Sequence, residues 1–237
     1  MQRYFTQDKE NNIFTLSKSD SYHIKKVMRM NLNDNVEIIF DNTLYISKII
    51  DLGENVKCEI IDKVEQEDNN LPYIILVQSL VKEQKMDYIL QKSCELGVNE
   101  IILLNAERSI VNFEKKEEKK IERWKTILKE ASEQSKRCDI PKLNHIMNLN
   151  DLINVKASVK LICTVNEKSK TIKSVLSNLN NSDTIIFVIG PEGGFSKFEE
   201  DFLLQNGFVP VSLGKNVLRT ETASSFILSA LNYEFLR

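Results

Sequence analysis

Histidine is nearly missing from this chain: only His23 and His145 occur in 237 residues. The four cysteines, Cys58, Cys94, Cys138 and Cys163, are scattered and form no C-x-x-C pair. That scarcity argues against a Cys/His zinc site, so no metal is expected, and more strongly against a disulfide framework. Unpaired cysteines suit a reducing, cytoplasmic setting. No apolar run approaches the roughly 20 residues that a membrane span needs, so no membrane partner is expected. The opening residues 1–10 are too polar to read as a signal peptide. Charge of one sign is lacking as well: 32 Lys+Arg stand against 34 Asp+Glu, a net −2. Overall charge therefore does not announce a nucleic-acid binder, and any RNA contact must come from a local patch. The familiar nucleotide and nucleophile motifs are missing too. There is no G-x-x-x-x-G-K-[ST], no G-x-G-x-x-G after the first strand, and no G-x-S-x-G elbow.

What remains is an ordinary soluble composition, 42% hydrophobic and 28% charged, in a chain long enough for one or two domains. The polar stretch Glu65-Gln66-Glu67-Asp68-Asn69-Asn70 is the best boundary, which predicts domains at 1–70 and 71–237. Before it the pattern is mostly strand, at Val36–Phe40, Thr43–Ile50 and Val56–Val64. One helix intrudes over Ser21–Met30, capped by Asp20, with Tyr22, Ile24, Val27 and Met28 on one face. The first part thus reads as a small β-barrel with one helix. After the boundary, strands at Tyr73–Gln78, Glu100–Leu104, Val159–Val165, Thr184–Ile189 and Phe208–Leu213 alternate with helices. Those helices are expected over Met86–Leu96, stopped by Gly97, over Glu117–Lys136, from the Ser196 capping box to about Asn206, and over Thr222–Leu236. In the last of these, Phe226, Ala230 and Tyr233 are the candidate core contacts. Such alternation argues for a parallel α/β sheet covered on both faces.

Two glycine-marked segments carry the chemistry. Gly190-Pro191-Glu192-Gly193-Gly194-Phe195 follows one apolar strand, and Leu213-Gly214-Lys215-Asn216-Val217-Leu218-Arg219-Thr220-Glu221-Thr222-Ala223 follows another. Open α/β sheets bind ligands in loops at the carboxyl ends of their strands, so one site built from both segments is expected. Glycines there let backbone approach a ligand closely. The bland readings are a tight turn for the first loop, and for the second a local Arg219–Glu221 ion pair with Thr222 capping the last helix. The functional reading is that Arg219 faces a substrate anion while Leu213–Leu218 cup an apolar or aromatic ligand.

Those two segments resemble the SPOUT RNA methyltransferases, and among them the ribosomal RNA small subunit methyltransferase E family. Further similar segments follow in order: Arg3-Tyr4-Phe5, His23-x-x-x-Val27-Met28-Arg29, and Lys85-x-Asp87 with Gln91-Lys92-x-Cys94-Glu95-Leu96-Gly97-Val98. Glu107-Arg108-Ser109 comes next, then Arg123-Trp124 and Glu130-Ala131-x-Glu133-Gln134-Ser135-x-Arg137. The resemblance covers nearly the whole chain. It implies an N-terminal PUA-like β-barrel that binds RNA and a C-terminal SPOUT methyltransferase domain with a deep trefoil knot. It also implies a homodimer that uses S-adenosylmethionine to methylate N3 of a uridine in 16S small-subunit ribosomal RNA, within the assembled 30S particle. The implied cofactor residues are Thr164, Gly190, Glu192, Gly193, Gly194, Leu213, Gly214, Val217 and Leu218. Arg219 and Glu221 are the catalytic candidates, Glu221 either as a base or to orient Arg219. Arg3, His23, Arg29, Arg108 and Arg137 are the RNA-binding candidates. Two other readings stand beside this one: ribose 2'-O methylation of RNA, and a non-catalytic ribosome-associated RNA-binding module.

Overall fold

The computed structural model describes residues 1–65, 71–109 and 117–235. Two compact units emerge: Met1–Asn69 with Ser132–Ile140, and Asn70–Ala131 with Pro141–Arg237. The polar boundary stretch lies, apart from Glu65, outside the described residues.

The first unit is built on β1 (Arg3–Phe5), β2 (Asp8–Glu10), β3 (Ile13–Thr15), α1 (Lys18–Tyr22), β4 (Asn35–Phe40), β5 (Thr43–Asp51) and β6 (Lys57–Val64). The strands form one sheet in the order β1-β4-β5-β6-β3-β2. Only the β1–β4 pair is parallel, with Arg3 directly beside Glu37. Tyr4, Phe14, Ile24, Ile38 and Ile49 fill its core, each at most 1% exposed. The expected helix starts earlier and is shorter. Ser17, not Asp20, caps it by accepting the Asp20 backbone N–H, and the chain then widens into a π turn over His23–Val27. Of the expected apolar face only Ile24 is buried; Tyr22, Val27 and Met28 are exposed.

The second unit contains β7 (Tyr73–Ser79), α2 (Glu83–Glu95), β8 (Glu100–Leu104), α3 (Glu117–Gln134), whose last turn belongs to the first unit, β9 (Lys142–Met147) and α4 (Leu149–Leu152). It continues with β10 (Val159–Cys163), α5 (Ile172–Leu176), β11 (Thr184–Ile189), α6 (Lys197–Gln205), β12 (Val209–Val211) and α7 (Thr220–Phe235). All six strands are parallel, in the order β12-β10-β11-β7-β8-β9. Burial on both faces explains the unbroken apolar runs. Ile74, Leu76, Leu103 and Phe187 pack under α2, α3 and α7; Ile75, Val77, Ile102 and Val188 pack on the other side with Leu152 and Leu203. Pro210 is tolerated because β12 is an edge strand. Helix α2 ends, as expected, at Gly97, whose φ of +85° suits glycine. Helix α7 starts two residues before Thr222, with the Arg219 carbonyl accepting the first helical bond. Its buried stripe is Ala223, Ile227, Leu228 and Leu231, whereas Phe226 and Tyr233 are exposed. No helix among the described residues is long and apolar enough to cross a membrane.

Candidate active site

Strand order determines which loops meet. β12, β10, β11 and β7 are consecutive neighbours and run parallel, so the segments leaving their carboxyl ends emerge side by side. These are Leu213–Leu218 after β12, Thr164–Asn166 after β10 and Gly190–Gly194 after β11, with the start of α2 following β7. Together they line a cavity of about 910 Å³, within the range that holds nucleoside-sized ligands. Every expected cofactor residue contributes to its lining: Thr164, Gly190, Glu192, Gly193, Gly194, Leu213, Gly214, Val217 and Leu218.

The loops are held from behind. Buried Gln78 donates from Nε2 to Thr220 Oγ1 (2.9 Å), and that hydroxyl donates to the Gly190 carbonyl (2.8 Å). This neutral relay ties the start of α7 to the first glycine loop. Glycine suits the tightest points of the chain: a Cβ on Gly190 would press on the Phe195 ring at 3.2 Å, and Gly214 has a φ of +131°. The predicted capping box is present, with Ser196 Oγ accepting the Glu199 N–H and Glu199 accepting the Ser196 N–H (2.8 Å). The other Glu199 oxygen accepts the Glu107 N–H (2.7 Å), which anchors the turn carrying Arg108. At the β10 end, Glu200 takes hydrogen bonds from the Thr164 hydroxyl and, at 3.0 Å, the Asn166 amide.

The chemistry available is mostly cationic. Lys85, Arg108, Lys215 and Arg219 line the cavity against Glu192 and Glu200. Arg108 donates to the Gly193 carbonyl (2.9 Å). Arg219 is exposed and, among the described residues, makes no side-chain hydrogen bond or ion pair. The local Arg219–Glu221 pair is not formed. Residues two apart do not face each other at a helix start, and Glu221 turns instead to Lys85, 3.7 Å away. Lys85 also pairs with Glu192 at 3.1 Å. Glu221 itself does not line the cavity. Cys163 does, and burial pushes its thiol up to about 12, which keeps it in the neutral form.

The RNA candidates are dispersed. Arg108 stands at the cavity, in the second unit. Arg29 is exposed in the first unit, in a left-handed conformation with φ 52°. His23 is half-buried and shares a hydrogen bond with Tyr4 (3.0 Å). Arg137 holds Asp139 at 2.7 Å and is 12% exposed. Arg3 is 6% exposed and committed inward: it donates to Glu37 (2.8 Å) and to the carbonyls of Lys136 and Arg137. Its place opposite Glu37 in the β1–β4 register explains that pair.

Burial pushes the Glu37 carboxyl up, but hydrogen bonds from Lys136 and Arg3 outweigh it and hold it below the usual carboxylate range. A depressed carboxylate stabilises the fold above its unfolded value near about 4.3, and that stability is lost as pH falls through the lower folded value. Thermal melts across this acid limb should therefore show a smaller loss in Glu37→Gln than in the unaltered chain. Arg3→Ala should cost about 1–3 kcal/mol at neutral pH, because it removes one of the two cations on a half-buried carboxylate, leaving Lys136, and takes a donor from the Lys136 and Arg137 carbonyls. Denaturant titration that finds Arg3→Ala unchanged would show that the inward contacts do not hold the unit.

Lys85, Gln78, Glu199, Glu200 and Thr220 went unassigned in the sequence reading. Lys85 lay within a family-like segment, which was the one signal available. Glu199 was visible only as the acid of the capping box and Thr220 only within the second glycine-marked segment, whereas Gln78 and Glu200 carry no local pattern that separates them from ordinary strand or helix positions.

Known proteins supply the comparison for this geometry. The RNA methyltransferase domain family matches residues 67–232, and the RNA methyltransferase PUA domain matches residues 16–61. The ribosomal RNA small subunit methyltransferase E of Bacillus subtilis is 33% identical over 251 residues, covering 99% of this chain and 97% of its own. Its counterpart from Aquifex aeolicus is 33% identical over 237 residues, covering 98% and 99%. A crystal structure of the Neisseria gonorrhoeae enzyme of that name, bound to S-adenosyl methionine, superposes with a TM-score of 0.87 at 30% identity. It covers 98% of this chain and 97% of its own. With matches of this extent in both sequence and fold, the chain belongs to the ribosomal RNA small subunit methyltransferase E family.

Proposed function

We propose that this protein transfers a methyl group from S-adenosylmethionine to N3 of a uridine in 16S small-subunit ribosomal RNA. The observation that carries the reading is the convergence of both glycine-marked loops on one cavity beside the unpaired Arg219. The cavity residues fit the donor: its volume suits a nucleoside, Gly190 and Gly214 keep the loops close and turned, and Leu213, Val217 and Leu218 offer apolar cover for a purine face. Glu192 and the loop backbone supply polar groups for its amino and hydroxyl groups.

When bound, S-adenosylmethionine supplies an electrophilic methyl on sulfur. The acceptor is harder to prepare. As the N3–methyl bond forms, the sulfur–methyl bond breaks and S-adenosylhomocysteine is left; the N3 proton passes to water, and as it leaves, negative charge develops across O2, N3 and O4. Arg219 stays protonated and so stabilises that charge rather than taking the proton. A guanidinium with no partner among the described residues is free to make these hydrogen bonds as the charge appears. The surplus of cations around the cavity favours an anionic acceptor and nearby phosphates. Glu221, turned towards Lys85, serves the loop scaffold rather than orienting Arg219.

The first unit, together with exposed Arg29 and the half-buried His23, is proposed as the RNA-binding part. The second carries the donor site and, at Arg108, a contact to RNA. Arg3 and Arg137 support the first unit from within. A near-neutral chain favours recognition of a folded particle over a free strand, so the proposed substrate is the assembled 30S subunit. A homodimer in the cytoplasm completes the reading.

Incubation with labelled methyl donor and separated ribosomal subunits, followed by nucleoside analysis, tests it. The expected product is 3-methyluridine from the small subunit. A ribose 2'-O-methyl product would move the chain to the other methyltransferase reading. Absence of both transfer and donor binding would leave an RNA-binding module.

A further inference from the structure

We propose that Lys85 is a positioning residue for methyl transfer: its single ammonium clasps the loop after β11 to the first turn of α7, which holds the end of the second cofactor loop, through Glu192 and Glu221. Glu192 belongs to the loop after β11, and Glu221 to the first turn of α7. Their carboxylates lie 3.1 and 3.7 Å from the same Nζ. The nearer oxygen of Glu221, Oε2, is buried and has no hydrogen-bond partner among the described residues. Its charge is thus balanced by Lys85, and removing the ammonium would leave two carboxylates repelling each other across the gap between the loops. This inference rests on the donor-site reading above.

The placement of Lys85 is telling on two counts. It sits in the first turn of α2, where a cation opposes the helix dipole. A residue set against its local preference is expected where a site demands it. The turn that carries it is also rigidly mounted: Arg123 on α3 pairs with Glu83 (2.7 Å) and Asp87, and Trp124 Nε1 donates to Asp87 (3.2 Å). Lys85 therefore projects from a fixed platform onto two loops.

The clasp is distinct from the neutral Gln78–Thr220–Gly190 relay, which ties the same loops from behind and would survive loss of Lys85. The three charged side chains are 18–31% exposed, so the clasp adds little to global stability. Its effect is on geometry, where a displacement of about 1 Å costs up to about 100-fold in rate.

The test is steady-state kinetics and calorimetry on Lys85→Met, Lys85→Arg and the double variant Lys85→Met/Glu221→Gln, in the full chain with small subunits as methyl acceptor. Lys85→Met should lower kcat about 10- to 100-fold and raise the KM for S-adenosylmethionine, at an unchanged melting temperature. Lys85→Arg should recover most of the loss. The double variant should be less impaired than Lys85→Met, because it removes the repulsion. Lys85→Met with unaltered kcat and KM, or a loss that neither companion variant relieves, would overturn the proposal while leaving the donor site intact. Failure of the unaltered protein to bind S-adenosylmethionine would overturn the donor-site reading, and this inference with it.

Discussion

Arg219→Ala is expected to lower the rate of methyl transfer about 100- to 1,000-fold, the usual consequence of removing one preorganised donor from a developing oxyanion. Affinity for S-adenosylmethionine should stay within about threefold, because the proposed guanidinium contact forms with the uridine and not with the donor. Stability should hardly change, since Arg219 is exposed and no described residue pairs with it. Its carbonyl, which starts α7, is retained in alanine. Single-turnover transfer and calorimetry separate these quantities. Lysine at the same position should recover only part of the rate, because a point charge cannot reproduce a planar fork across two acceptor atoms. Normal transfer by Arg219→Ala would remove Arg219 from the mechanism.

Trp124→Ala should be the most destabilising single change, at about 3–5 kcal/mol. Trp124 is 0% exposed at the centre of the larger core and is the bulkiest fully buried side chain. Alanine would empty that space and strip Asp87 of its indole donor. For a chain of this size the melting temperature should fall by about 6–20 °C. Trp124→Phe keeps most of the volume and loses the hydrogen bond, so a cost nearer about 1 kcal/mol is expected. Because Asp87 lies two residues from Lys85 on α2, residual activity of Trp124→Ala below its melting point should also fall. A melting temperature unchanged by Trp124→Ala would mean that the α2–α3 contact is not what holds this face of the sheet.

Strands buried on both faces were the most readable elements. Glu100–Leu104 and Thr184–Ile189 are unbroken apolar runs after their first residue, and the structure places the strands at those bounds. The capping box at Ser196 was equally plain, since its two hydrogen bonds are local. The segments β1, β2 and β3 left no comparable trace. Each has three residues, and Asp8-Lys9-Glu10 is wholly exposed, so no periodicity forms. Helix α7 shows how periodicity can mislead. Phe226, Ala230 and Tyr233 repeat at helical spacing, and so do Ala223, Ile227 and Leu231. Only packing against the sheet decides which stripe is buried. The same limit hid the first helix start, where Ser17 and Asp20 are both good caps and the fold selects Ser17.

At the site, the glycine loops were legible because their residue types are unusual and close in sequence. Lys85 was not, because a lysine in a charged first turn looks like solvated surface. Its two partners lie far along the chain and meet it only through the β11–β7 pairing and the return of α7. Glu200 was hidden for a similar reason. Its partners Thr164 and Asn166 leave a different strand, and the glutamate itself sits in a helix rich in acids.

A structure of this protein with S-adenosylmethionine bound tests the central claim most directly. The adenosine should lie against Leu213–Leu218 with the Gly190–Gly194 loop beside it, and the methyl should point to the side of the cavity where Arg219 stands. Donor bound elsewhere, or these two loops drawn apart with Arg219 remote from the methyl, would contradict the account.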